Sequence, residues 1–81
     1  MTKRDKLVRR IRQRPPEADF DDVRAVLDLF GWTFDRQRGS HASFTKPGEG
    51  SITVPISHGK VKRAYLDHLC EALGLDNEDA N

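Results

Sequence analysis

Hydrophobic residues recur at helical spacing in three stretches of this 81-residue chain, which predicts three helices. The first spans residues 3–13 and is ended by two prolines, which cannot continue a helix. The second begins within residues 19–22 and stops at Gly31, and the last runs from about Lys60 to Leu73. The predicted core positions are Leu7, Val8 and Ile11 in the first helix, Phe20, Val23, Val26, Leu27 and Phe30 in the second, and Val61, Tyr65, Leu66, Leu69 and Leu73 in the last.

Between the second and third helices the apolar positions fall on every second residue, which is typical of strands. We expect three strands, over residues 32–38, 41–46 and 51–56, because Gly39-Ser40 and residues 47–50 carry strong turn signals. In the first strand, alternation directs Trp32 and Phe34 to the core. The opposite face then carries Thr33, Asp35 and Gln37.

His41 follows the Gly39-Ser40 turn and is the main candidate for chemistry. If Phe44 faces the core, so does Ala42, and His41 then points to the open side of the sheet. Histidine suits general acid or base catalysis because its unperturbed pKa of ~6.5 lies near working pH. On these residues alone, a turn histidine without chemistry is an equal alternative.

The element order α-α-β-β-β-α predicts an α+β domain with a three-stranded antiparallel sheet. Helices before and after the strands can both cover one face of the sheet and leave the other face open. A chain of this length forms one domain with a small core, so an open surface site is favoured over a deep cleft.

The net charge of +1 hides a segregation of charge along the chain. Residues 1–14 form a basic helix with seven Lys or Arg and one Asp, and residues 31–65 carry six basic and two acidic side chains. Residues 15–30 are acidic, as is a polar tail at residues 76–81. A polyanion such as RNA is drawn to the two basic blocks, although such blocks can also be solvated faces.

The remaining composition argues against several classes of protein. No apolar run approaches the ~20 residues of a membrane span, and the lone Cys70 fits a reducing, cytoplasmic setting. His68 and Cys70 stand two positions apart on a helix and face different ways, so they are no metal pair. We therefore expect no metal site and no cofactor.

One block of residues resembles a known family. The pattern Gly31-Trp32-x-x-x-Arg36-Gln37-x-Gly39-Ser40-His41-x-x-Phe44 is similar to the signature of HicA-type toxins. The similarity continues through Thr53-Val54-Pro55 and Gly59-Lys60 into the last helix. It makes residues 15–75 a HicA-like domain, with the basic helix of residues 1–14 as an addition.

The resemblance implies a fold like the double-stranded-RNA-binding domain and a metal-independent endoribonuclease that cleaves mRNA. It also implies a HicB-like antitoxin as partner, and it makes His41 the catalytic histidine. The chain departs from the family at Ala42, where many members have a second histidine, and at His58, which is shifted by one position relative to Pro55.

Hydrolysis of RNA without a metal also requires positive charge on the phosphate. Arg36, Arg38 and Lys60 are the candidate cations near His41, and the backbone N–H groups of Gly39 and Ser40 are further candidate phosphate ligands. His58 precedes the last helix and is a weaker candidate for a phosphate contact at the N-terminus of that helix.

Two other functions remain open at this stage. The chain can be a non-catalytic RNA-binding module, because the implied fold binds duplex RNA by shape and phosphate contacts. It can also be an inactive HicA-like protein that mainly binds an antitoxin, which the replacement of a second histidine by Ala42 favours.

Overall fold

Eight elements follow one another along residues 2–75, the part of the chain that the computed structural model describes. In order they are helix α1 (Lys3–Arg12), strand β1 (Glu17–Asp19), helix α2 (Phe20–Leu29), strands β2 (Thr33–Arg38), β3 (His41–Lys46), β4 (Gly50–Pro55) and β5 (Lys60–Lys62), and helix α3 (Arg63–Leu73). The acidic tail predicted at residues 76–81 lies outside the described residues.

Strands β2, β3 and β4 form one antiparallel sheet in the order β2-β3-β4, joined by tight turns. The helices lie on one face of this sheet, and the fold is of the α+β class, like the double-stranded-RNA-binding domain. Both features confirm the prediction. Pro55 ends β4, an edge strand, where its missing N–H leaves no ladder hydrogen bond unmade.

A second, smaller sheet was not predicted. Strand β1 pairs with β5 in antiparallel register, with Ala18 opposite Val61. The prediction that the last helix starts at Lys60 is therefore wrong, because Lys60–Lys62 is a strand and the helix begins at Arg63. Val61 is fully buried in this strand, so its apolar character indicated burial but not the type of element.

The core lies between the helices and one face of the large sheet. Phe44 of β3 is its largest fully buried side chain, and its ring meets Phe34 edge-on at a centroid distance of 5.6 Å. The buried core residues are Ile11, Ala18, Val23, Val26, Leu27, Trp32, Ala42, Phe44, Val54, Val61, Leu66, Leu69, Cys70 and Leu75. The opposite face of the large sheet is left open.

Helix α1 is part of this core and not a free arm. Ile11 is fully buried, and the Cys70 thiol of α3 donates a hydrogen bond to its carbonyl over 3.5 Å. Thr2 and Asp5 form a capping box that satisfies backbone N–H groups at the start of the helix. The apolar edge of α1 packs on the domain and its basic side chains surround that edge. A helix of this length needs such packing to be stable.

Strand β2 contains a β-bulge at Asp35. Phe34 pairs with Phe44, but the next paired residue is Arg36, opposite Ser43. Because the extra residue reverses the alternation, Gln37 shares the face of Ala42 and not that of Thr33, so the prediction for Gln37 is wrong. The same shift moves Arg36 and Arg38 onto the open face.

No helix within residues 2–75 is both long and apolar enough to cross a membrane.

Candidate active site

The β2–β3 turn brings Arg38 and His41 side by side. Gly39 and Ser40 form a two-residue turn, in which Gly39 has a φ of +55°. A positive φ at the first central position and a negative one at the second are features of a type II′ turn, which places glycine where a side chain would be strained. Arg38 and His41 are direct cross-strand partners, and paired residues point to the same face of a sheet.

The open face of the sheet consists of three rows of paired side chains that run from β2 through β3 to β4. The rows are Thr33-Thr45-Ser51, Arg36-Ser43-Thr53 and Arg38-His41-Pro55. All nine residues are exposed except Ser43, which is half-buried. Hydroxyl groups and cations thus cover this face, and none of the nine is acidic.

The two arginines differ in how they are held. The Nε atom of Arg36 lies 3.3 Å from a carboxylate oxygen of Asp35, the bulge residue, so the bulge also supplies a partner for Arg36. Arg38 forms no ion pair within residues 2–75. Its guanidinium is therefore the more available of the two for a phosphate group.

His41 is exposed, and its ring lies beside the Ser40 hydroxyl, with 3.5 Å between Nδ1 and Oγ. This contact leaves Nε2 as the nitrogen that faces solvent. The Ser40 carbonyl accepts a hydrogen bond from the backbone N–H of Ile56 over 2.6 Å, which ties the turn to the end of β4. The Gln37 side-chain amide donates to the Gly39 carbonyl over 3.0 Å. The backbone around His41 is thus held from two sides.

Lys60, the third candidate cation, lies in β5, and its ammonium group forms an ion pair with the carboxylate of Asp19. Hydrogen bonding and charge attraction within the pair lower the pKa of Asp19 and raise the pKa of Lys60. Of the predicted site residues, the structure brings together Arg36, Arg38, Gly39, Ser40 and His41. Lys60 belongs to the smaller sheet and already has an acidic partner.

His58 lies in a tight turn between β4 and β5. Ser57 and Lys60 exchange two backbone hydrogen bonds of 2.8 and 2.9 Å around His58 and Gly59. Both central residues have positive φ, +52° and +76°, as in a type I′ turn. The prediction that His58 precedes the last helix directly is wrong, because β5 separates them. The His-Gly pair resembles the Asn-Gly signal of such turns, which was the available hint.

The other candidate positions lie apart from His41. His68 is exposed on α3, with its ring 5.5 Å from that of Tyr65, and Cys70 is buried. Within residues 2–75, no group of three or more His, Cys, Asp or Glu side chains is arranged to hold a metal ion. A cleft of about 480 Å³ lies between α2 and β2, and its lining includes Arg24, Trp32 and Phe34 but not His41.

Comparison with known proteins gives one result that bears on function. The model of the family described as the HicA toxin of bacterial toxin–antitoxin systems matches residues 20–75, more than half of the chain. Neither the curated proteins nor the solved structures contain a match. The match begins at α2 and leaves out α1, and it covers every residue of the open sheet face. The chain therefore belongs to the HicA family and is the toxin of a toxin–antitoxin pair.

Proposed function

We propose that this toxin is an endoribonuclease that cleaves mRNA without a metal ion, with His41 as its general base or acid. The observation that carries the proposal is the exposed row of Arg38, His41 and Pro55, on a face whose three rows of paired side chains include no carboxylate. A flat, basic and hydroxyl-rich surface suits an extended polyanion better than a small metabolite, which prefers a concave apolar pocket.

The proposed reaction uses the ribose 2′-hydroxyl as the nucleophile. A base removes its proton, the 2′ oxygen attacks the adjacent phosphorus, and the bond to the 5′ oxygen breaks. The products are a 2′,3′-cyclic phosphate and a 5′-hydroxyl end. The free Nε2 of His41 suits either proton transfer, and the Arg38 guanidinium next to it suits the charge that builds on the phosphate oxygens.

Arg36 and Ser43 support the same proposal from the next row of the sheet. Arg36 is directed to the open face by the bulge, and Ser43 lies between Arg36 and Thr53. We propose that this row binds the phosphate groups that flank the cleaved bond, since RNA carries one negative charge at every nucleotide. Binding is then expected to weaken with salt, because each neutralised phosphate releases counterions.

Pairing with an antitoxin follows from the family, and a HicB-like antitoxin is the partner we propose. The open face is the surface whose coverage would stop the reaction, because it holds both His41 and Arg38. An acidic or carboxylate-bearing segment of the antitoxin would match the charge of this face.

The test uses the purified toxin and a labelled single-stranded RNA in the presence of EDTA. Wild type should cleave, and His41→Ala should lose about 10²- to 10⁴-fold in rate, the usual contribution of a general acid or base. His68→Ala is the matched control, because it removes an exposed histidine from α3 without touching the sheet.

Equal cleavage by wild type and His41→Ala would refute the role of His41. A folded wild type that binds RNA but leaves it intact would favour the non-catalytic RNA-binding module. A folded wild type that neither binds nor cleaves RNA would favour an inactive toxin that serves to bind its antitoxin.

A further inference from the structure

A second histidine lies at the same end of the large sheet as His41. His41 pairs with Pro55, the last residue of β4, and the hydrogen bond from Ile56 to Ser40 extends this pairing past the strand end. His58 follows Ile56 by two residues. The two histidines are therefore close in space although 16 residues separate them in sequence.

The backbone sets an upper limit on their separation. Cross-strand partners have Cα atoms about 5 Å apart, and the three residues from Pro55 to His58 span at most about 11 Å. The Cα atoms of His41 and His58 are thus no more than about 16 Å apart, and the turn at His58 shortens this distance. A gap of this size is within the combined reach of two histidine side chains and a phosphodiester group.

Packing does not explain why position 58 is a histidine. The side chain is exposed, and its one described contact is the Ser57 hydroxyl, with 3.2 Å between Oγ and Nδ1. Its φ of +52° lies in the left-handed region, where glycine and asparagine are less strained. An exposed side chain held by one hydroxyl contact, at the same end of the sheet as His41, is a candidate for chemistry.

The surroundings of the two rings repeat each other. Each histidine follows a serine, and each serine hydroxyl lies beside Nδ1, at 3.5 Å for His41 and 3.2 Å for His58. In both cases Nε2 is left to meet a substrate. A pair of imidazoles with free Nε2 atoms is what cleavage by the 2′-hydroxyl needs, since one proton is removed and another is supplied.

We propose that His58 is the general acid of the reaction in which His41 is the general base. This assignment rests on the proposed ribonuclease function. His41 takes the proton of the 2′-hydroxyl, the 2′ oxygen forms its bond to phosphorus, and the bond from phosphorus to the 5′ oxygen breaks. The departing oxygen takes its proton from Nε2 of the charged His58 ring. The two histidines exchange protonation states, and water restores them.

The deciding experiment compares two RNA substrates that differ in the leaving atom. One has a normal linkage at the cleavage site, and the other carries sulfur in place of the 5′ oxygen at that linkage. A thiol ionises near pH ~8.5, far below an alcohol, so a thiolate leaves without a proton. A general acid is therefore required for the first substrate only.

The variant is His58→Asn, because asparagine tolerates the left-handed turn and cannot donate a proton as an acid. We expect His58→Asn to lose about 10²- to 10⁴-fold on the oxygen linkage and little on the sulfur linkage. His41→Ala should be impaired on both substrates, as expected of a base. His58→Gly, which fits the same turn, should behave like His58→Asn, and thermal melts should show both variants to be folded.

Three outcomes would overturn the assignment. One is that His58→Asn cleaves the oxygen linkage at the wild-type rate, and another is that its rate falls equally on both linkages. In either case His58 is not the acid, while the ribonuclease function stands. If wild type cleaves neither substrate, the proposed function has failed, and the assignment fails with it.

Discussion

Replacing Ile11 with alanine tests whether α1 is an integral part of the fold. The substitution removes three carbon atoms from a fully buried side chain, which loses about 2.4 kcal/mol at about 0.8 kcal/mol for each buried group. The surrounding side chains relax only partly when a buried side chain is truncated, so a cavity remains. The residual cavity raises the expected loss to about 3 kcal/mol.

The measurement is urea unfolding followed by the fluorescence of Trp32, the single and buried tryptophan. A loss of about 3 kcal/mol corresponds to a drop in melting temperature of roughly 12–24 °C for a domain of this size. Arg9→Ala is the matched control, since Arg9 is exposed on the same helix and its loss should change stability by less than about 0.5 kcal/mol. If Ile11→Ala is no less stable than Arg9→Ala, α1 does not belong to the core.

The other predictions concern charge and register. The double variant Lys6→Ala, Arg9→Ala should keep wild-type stability. If both groups contact RNA, the slope of log affinity against log salt should become shallower by about 1.4. An unchanged slope would mean that α1 does not contact RNA. Asp19→Asn should lose the stabilisation by Lys60 near neutral pH. The folded pKa of Asp19 is lowered and that of Lys60 is raised, so the difference in free energy of unfolding between wild type and variant should shrink as pH falls below ~4 or rises above ~10.4. Urea titrations across pH measure this difference, and a constant value would contradict the prediction. Deleting Asp35 should restore regular pairing between β2 and β3 and leave the neighbouring side chains on the faces they occupy now, so RNA cleavage at the wild-type rate is expected. A folded but inactive variant would contradict the assigned faces.

Deletion of the whole basic segment is a poor test of its role in binding RNA. The deletion would remove Ile11 and uncover Cys70, so the remaining chain would lose stability as well as charge. Substitutions of exposed residues separate these effects, because they leave the apolar edge of α1 in place.

Much of the fold was predictable because local signals agree with it. The apolar spacing in α2 and the turn at Gly39-Ser40 are both determined within a few residues of sequence. A two-residue turn also fixes its own register, so the exposure of His41 and the burial of Ala42 follow once Phe44 is assigned to the core.

The small sheet was not predictable for the opposite reason. Strands β1 and β5 have three residues each, too few to show a period, and the partners Ala18 and Val61 are 43 positions apart. The ion pair of Lys60 with Asp19 depends on that same distant pairing. No local pattern indicates that this lysine has an acidic partner.

The bulge is the feature of the candidate site that sequence reasoning missed. Strict alternation from Phe34 would direct Arg36 and Arg38 toward the core, which their charge opposes. That conflict was the available signal for an extra residue, but it does not say which residue is unpaired. Only the pairing with β3 identifies Asp35.

The position of Cys70 beneath α1 makes this cysteine a built-in reporter of slow opening motions. It is the sole thiol of the protein, it is fully buried, and it donates to the Ile11 carbonyl. A thiol reagent reaches a fully buried thiol after a local or global opening, and lifting of α1 is one such opening, so the labelling rate in native buffer reports how often Cys70 becomes exposed. The same labelling can follow the toxin in the presence of RNA or antitoxin, and a ligand that holds α1 in place would slow it without any substitution in the chain.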